Sequence, residues 1–224
     1  MGAGWGVIDA AGRPKPAFYA LKRAFRPLQV AVTDEGTNGL AIHVVNELPL
    51  ERNVTLSLAC LKDGQVPVVS GKLDLALAPH SAQTLNAVDL IGAFFDVTYA
   101  YRFGPPSHDV TVVRLSDPEG GEVLAEAFHI PVPGGLTRVQ KEMVAAEITG
   151  QPGADLGVRL STRSTLAFVT LSLPGYCPSE NGFHLAPGAA KTVALEPEAP
   201  GSERASEPRL EIAALHLQGA VAMP

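Results

Sequence analysis

The chain has 224 residues, 46% apolar and 18% charged, enough for one large domain or two of roughly 100 residues with real cores. With 17 Lys and Arg against 23 Asp and Glu, its formal net charge is −6. Nucleic-acid backbones and anionic membranes are bound through clustered cations, and no such cluster occurs here, so neither partner is expected.

Met1 to Gly12 lacks a basic stretch followed by an apolar core, and no run of about 18 apolar residues occurs anywhere. The expectation is a soluble chain with no signal peptide in these residues; the location of the intact protein stays open, with the cytoplasm favoured. Cys60 and Cys177 are far apart and belong to different domains in this reading; two sulfurs build no zinc site.

Residues 1–26 differ from the rest. Trp5 to Ile8 is a short apolar run and Ala10 to Arg13 reads as a turn. Pro14 and Pro16 open a helix, since proline suits a first turn whose N–H groups are unpaired anyway. Phe18, Leu21 and Phe25 then recur at helical spacing, Lys22, Arg23 and Arg26 favour the C-terminal end of the dipole, and Pro27 stops the helix. This is a lone strand, turn and helix.

Beyond Pro27 the period becomes two. Leu40 to Val44, Val54 to Cys60, Leu73 to Leu77, Val97 to Phe103, Val110 to Leu115 and Val123 to Ile130 each alternate, as half-buried strands do. Asn38-Gly39, Asp63-Gly64 and Glu119-Gly120-Gly121 separate them as turns. Pro131 to Gly135 reads as a linker. A second set follows: Met143 to Ile148, Leu156 to Leu160, Leu166 to Leu173, Thr192 to Leu195 and Leu210 to Leu217. Glu196 to Pro208 is too polar to bury and reads as a loop. The fold class expected is all-β: two consecutive Ig-like antiparallel sandwiches, at 27–132 and 133–224, after a βα unit at 1–26.

Three stretches add a family resemblance. WGVIDAAGRPKPAFYALKRAFRP (Trp5 to Pro27) resembles the last strand, turn and helix of the (β/α)₈ barrel in glycoside hydrolase family 2, β-mannosidase branch. LPGYCPSENGFHLAPGAAKTVAL (Leu173 to Leu195) resembles the C-terminal Ig-like domain of those enzymes, with Glu180-Asn181-Gly182 where the family more often has Asp-Asn and an aromatic. LAIHVVNELPLERNVTLSLACLKDG resembles their preceding Ig-like domain, where a strand ends in Val-Asn before a loop. The resemblance implies retaining hydrolysis of terminal β-D-mannosides by two glutamates about 5–5.5 Å apart. Those glutamates belong to earlier barrel strands, and no Glu here matches either motif.

The chain carries few signs of chemistry of its own. Asp34-Glu35 and Glu119 to Glu122 sit in turns, where acids are solvated. His43, His80, His108, His129, His184 and His216 show no H-x-H or H-x-x-x-H spacing, and no Gly-x-Ser-x-Gly elbow occurs. No cofactor, metal or catalytic residue is expected. Trp5 is the one candidate substrate contact, and only in an intact enzyme: barrel active sites gather at the C-terminal ends of strands, and an aromatic there can stack on a sugar ring. The competing reading packs Trp5 under the helix beside Phe18.

The expected role is therefore a non-catalytic C-terminal accessory region of a β-mannosidase-like enzyme, bracing the catalytic barrel. That barrel is the expected partner, supplied by the same chain or by a separate subunit. The alternative is an independent carbohydrate-binding or adhesive Ig-like module with weak carbohydrate contact. Tyr99 and Tyr101, on an expected core face, would be lost to it as a platform.

Overall fold

A computed structural model of the chain describes residues 4–132, 135–151, 155–198, 209–219 and 221–223. The described residues up to Phe25 pack with those from Arg138 onward, and Arg26 to Thr137 form a second compact unit. No helix among the described residues is long and apolar enough to cross a membrane.

The N-terminal run does not form the expected strand. It closes on itself: Ile8 and Pro14 make an isolated antiparallel bridge, and Lys15 N–H donates to Val7 O at 2.9 Å. The Asp9 carboxylate closes the turn, accepting from the N–H groups of Ala11 and Arg13, each at 2.9 Å. A barrel strand is held by parallel neighbours on both sides, and a lone one has no ladder to join. Helix α1 (Pro16–Ala24) follows with proline in its first turn and Lys22 and Arg23 in its last, as expected.

The unit from Arg26 to Thr137 is a sandwich. Strands β1 (Leu28–Asp34), β2 (Leu40–Asn46), β3 (Arg52–Lys62), β4 (Val66–Leu77), β5 (Ser81–Asn86), β6 (Val110–Ser116) and β7 (Val123–His129) form two antiparallel sheets, with helix α2 (Ala87–Ile91) after β5. One sheet runs β1-β2-β5 and the other β4-β3-β6-β7. Leu40, Ile42 and Val44 from the first and Leu56, Leu58, Cys60, Val113 and Leu115 from the second are wholly buried and form one core. Each such large side chain contributes about 1.5–3 kcal/mol. Helix α2 lies so close to β4 that a Cβ on Gly71 would come within 2.1 Å of Leu90 O.

The Val-Asn strand end has a structural cause. Asn46 is buried, and its amide donates to Leu50 O, Leu77 O and Ala78 O at 2.9–3.1 Å while accepting from Leu48 N–H. One side chain thus satisfies the loop that joins the sheets.

One alternating run is not a strand. Val97 to Phe103 forms a loop, in which the Asp96 carboxylate takes the N–H groups of Ala100 (2.9 Å) and Tyr101 (3.1 Å) that a ladder would have used. Tyr99 and Arg102 adopt left-handed φ of 57° and 52°, so the side chains leave the two-fold alternation that put Tyr99 and Tyr101 in a core. Tyr101 and Phe103 are instead exposed.

The other unit's sandwich contains β8 (Val139–Gln140), β9 (Val144–Thr149), β10 (Gly157–Thr162), β11 (Leu166–Ser172), β12 (Tyr176–Pro178), β13 (Phe183–Leu185), β14 (Ala190–Pro197), β15 (Leu210–Ala213), β16 (Leu217–Gln218) and β17 (Val221–Met223). Its sheets run β12-β14-β10-β9 and β13-β11-β15-β17, with β16 and β8 a parallel pair. Val158, Leu160 and Val193 face Leu166, Val169, Phe183, Leu185, Leu210 and Ile212 in its core. Of the expected loop Glu196 to Pro208, Glu196 and Pro197 end β14, and residues 199–208 lie outside the described residues.

Candidate functional site

Among the described residues no group of three His, Cys, Asp or Glu gathers where it could hold a metal ion. Asp34 accepts from Gly36 N–H and pairs with His129 Nε2 at 3.1 Å, while Glu35 accepts from the Thr33 hydroxyl. His43 lies between the hydroxyls of Thr33 and Thr84. Burial holds the His108 imidazole down at about pKa 4, against the nearby charge of Asp109 and Asp96. Cys60 is wholly buried, and its thiol is pushed up to about 11 for that reason.

Trp5 is fully exposed and packs neither under the helix nor beside Phe18. Phe18 instead meets Tyr19 edge-on at 5.5 Å.

What the structure does build is a joint between two of the stretches that carry the family resemblance. Tyr19, Lys22 and Arg23 lie three and four residues apart, on one face of α1. Tyr19 Oη donates to Pro178 O (3.1 Å) and Lys22 Nζ to Ser179 O (2.9 Å). Arg23 donates from Nη1 to Glu180 Oε2 and Asn181 O, and from Nη2 to Gly182 O, each at 3.0 Å. Five consecutive residues, Pro178 to Gly182, are therefore held by three side chains of one helix.

The receiving segment is shaped for this. Asn181 ties it to β11, accepting from Leu171 N–H at 2.9 Å and donating to Leu171 O at 3.1 Å. Gly182 takes a left-handed φ of 61°, and its carbonyl meets the guanidinium. Glu180 is buried and paired with Arg23, whose planar donor fork serves a carboxylate and two carbonyls at once. Burial, then the acidic groups of Cys177, Glu180 and Glu196, push the Tyr19 hydroxyl up to about 12, so it stays a donor.

The apolar residues that recur at helical spacing do not make this joint. Tyr19 is the buried residue of α1, whereas Leu21 is 43% and Phe25 80% exposed. Sequence reasoning missed Tyr19, Arg23 and Glu180 as a joint. The usable signal was a polar triplet at helical spacing on a short helix, with an acid inside a turn motif far along the chain.

Residues 140–216 match the family model Ig_mannosidase, an Ig-fold domain. Among solved structures the chain is similar to the β-D-mannosidase of Dictyoglomus thermophilum, with a TM-score of 0.71 and 16% identity, covering 96% of this chain and 24% of that one. It thus spans about a quarter of that enzyme's length. Red sea bream transglutaminase aligns at a TM-score of 0.30 and 13% identity over 92% of this chain and 32% of that one, too loosely to bear on the fold. No curated protein matches in sequence. The chain is β-mannosidase-like in fold, with a mannosidase-type Ig-fold domain at residues 140–216.

Proposed function

We propose that the chain is the non-catalytic C-terminal accessory region of a β-mannosidase-like enzyme of glycoside hydrolase family 2, and that it braces the last helix of a catalytic (β/α)₈ barrel. The parent reaction in this reading is retaining hydrolysis of terminal non-reducing β-D-mannose residues. Two carboxyl groups about 5–5.5 Å apart carry such a reaction, one as nucleophile and one as acid and base. Both belong to the barrel.

The observation that carries this reading is the orientation of α1. Its polar face is spent on the segment Pro178 to Gly182, while Leu21 and Phe25 face solvent. A helix whose apolar residues lie opposite the side chains that tie it to its own sandwich is oriented for a second partner on the other side. In a barrel that partner is the neighbouring strands and helices. Trp5, exposed at the end of the preceding run, is a substrate contact only when those strands are present.

The purified chain should show no turnover of an aryl β-mannoside. Turnover that co-purifies with the chain and vanishes on its unfolding refutes the reading.

A further inference from the structure

Four features of the Arg26 to Thr137 unit converge on the loop that follows α2. Phe94 is 69% and Phe103 85% exposed, and Tyr101 lies between them: its ring meets Phe94 edge-on at 5.5 Å and lies nearly parallel to Phe103 (5.9 Å, 21°). Three aromatic rings therefore share one patch of surface. Next to it is a cavity of about 520 Å³ lined by Asp34, Thr98, Tyr99, Arg102, Pro131 and Val132, within the size range of small-ligand sites.

The loop is held rather than loose. Asp96 accepts from two of its N–H groups, Tyr99 Oη donates to Gly104 O at 2.9 Å, and Tyr101 Oη donates to Thr37 O at 3.2 Å. Tyr99 and Arg102 sit in the left-handed region without being glycine, a strain that clusters at ligand sites. Arg102 lines the cavity and has no hydrogen-bond or ion-pair partner among the described residues.

We infer that this loop is a binding site for a neutral pyranose oligosaccharide. One face of a pyranose is a sheet of C–H groups and lies flat on an aromatic ring, while its rim hydroxyls need a donor and an acceptor side by side. Phe103, Tyr101 and Phe94 supply the rings; Arg102 supplies the donor, and the remaining lone pairs of the Asp34 carboxylate, which also holds Gly36 N–H and His129, and of the Thr98 hydroxyl, which donates to Gly36 O, supply acceptors. One cation and one carboxylate balance, so the cavity favours no charged ligand, and the net charge of −6 disfavours polyanions. The site stands on this geometry and does not depend on the glycosidase reading.

The test is calorimetric titration of the whole chain with mannotetraose, cellotetraose and xylotetraose, with trigalacturonate as acidic control. At least one neutral sugar should bind with Kd of about 0.1–1 mM, and the acidic control should not. Phe103→Ala removes an exposed ring and should weaken binding about tenfold or more at an unchanged melting midpoint. Arg102→Gly, which suits the left-handed backbone, should weaken it about three- to tenfold. Should Phe103→Ala fail to fold, Phe94→Ala takes its place. No binding of any neutral sugar, stronger binding of the acidic control, or binding unchanged in both variants overturns the proposal.

Discussion

Arg23→Ala removes the centre of the joint between α1 and the C-terminal sandwich. It deletes three hydrogen bonds, to Glu180, Asn181 and Gly182, and leaves the Glu180 carboxylate without the guanidinium that offsets its burial. Removing one member of a fully buried pair costs about 3–5 kcal/mol. Here the side chains retain 28% and 11% of their exposure, so screening lowers the figure to about 2–3 kcal/mol. That loss falls on α1, because these bonds tie the helix to the segment Pro178 to Gly182. Amide hydrogen exchange across α1 should therefore accelerate about 30- to 150-fold, while β10 and β11 keep their protection. Glu180→Gln should cost less in the Arg23→Ala background than in the native chain, since the carboxylate has by then lost the guanidinium. Exchange in α1 that is unchanged in Arg23→Ala, with circular dichroism intact, refutes the joint.

Asn46→Ala should destabilise the Arg26 to Thr137 unit by about 2–4 kcal/mol in chemical denaturation, because three carbonyls and one N–H lose their shared partner. Gly71→Ala should cost about 1–3 kcal/mol by the same measurement, since its Cβ would overlap Leu90 O unless α2 shifts. His108 is held neutral by burial down to about pH 4, against an ordinary value of 6.5. A base with a lowered folded pKa contributes stability that is complete above pH 6.5 and lost as pH falls towards 4, here about 3 kcal/mol. Denaturation midpoints taken across that window should fall less steeply in His108→Gln than in the native chain.

Much of the architecture was legible because burial enforces it. β2 and β3 alternate over long stretches, and Leu40, Ile42, Val44, Val54, Leu56, Leu58 and Cys60, with Val113 and Leu115 of β6, fill the core. β5 escaped notice because Ser81 to Asn86 is an edge strand that pairs only with β2 and buries no large side chain fully. Val97 to Phe103 misled for the opposite reason: its alternation is as clean as any strand's, and a single carboxylate at Asp96 redirects the backbone. For α1, position and ends followed from Pro16, Lys22 and Arg23, but the docking face did not. Periodicity locates an apolar stripe; it does not say that a helix will attach by its polar side.

The central claim is that the open face of α1 is a surface made for a barrel. Sedimentation velocity over a rising concentration series tests it, comparing the native chain with Leu21→Gln/Phe25→Lys, which leaves the hydrogen bonds to Pro178–Gly182 untouched. The account predicts that the native chain self-associates while the double variant stays monomeric at an unchanged melting midpoint. A native chain that remains monodisperse throughout, or a variant that melts markedly lower, contradicts it.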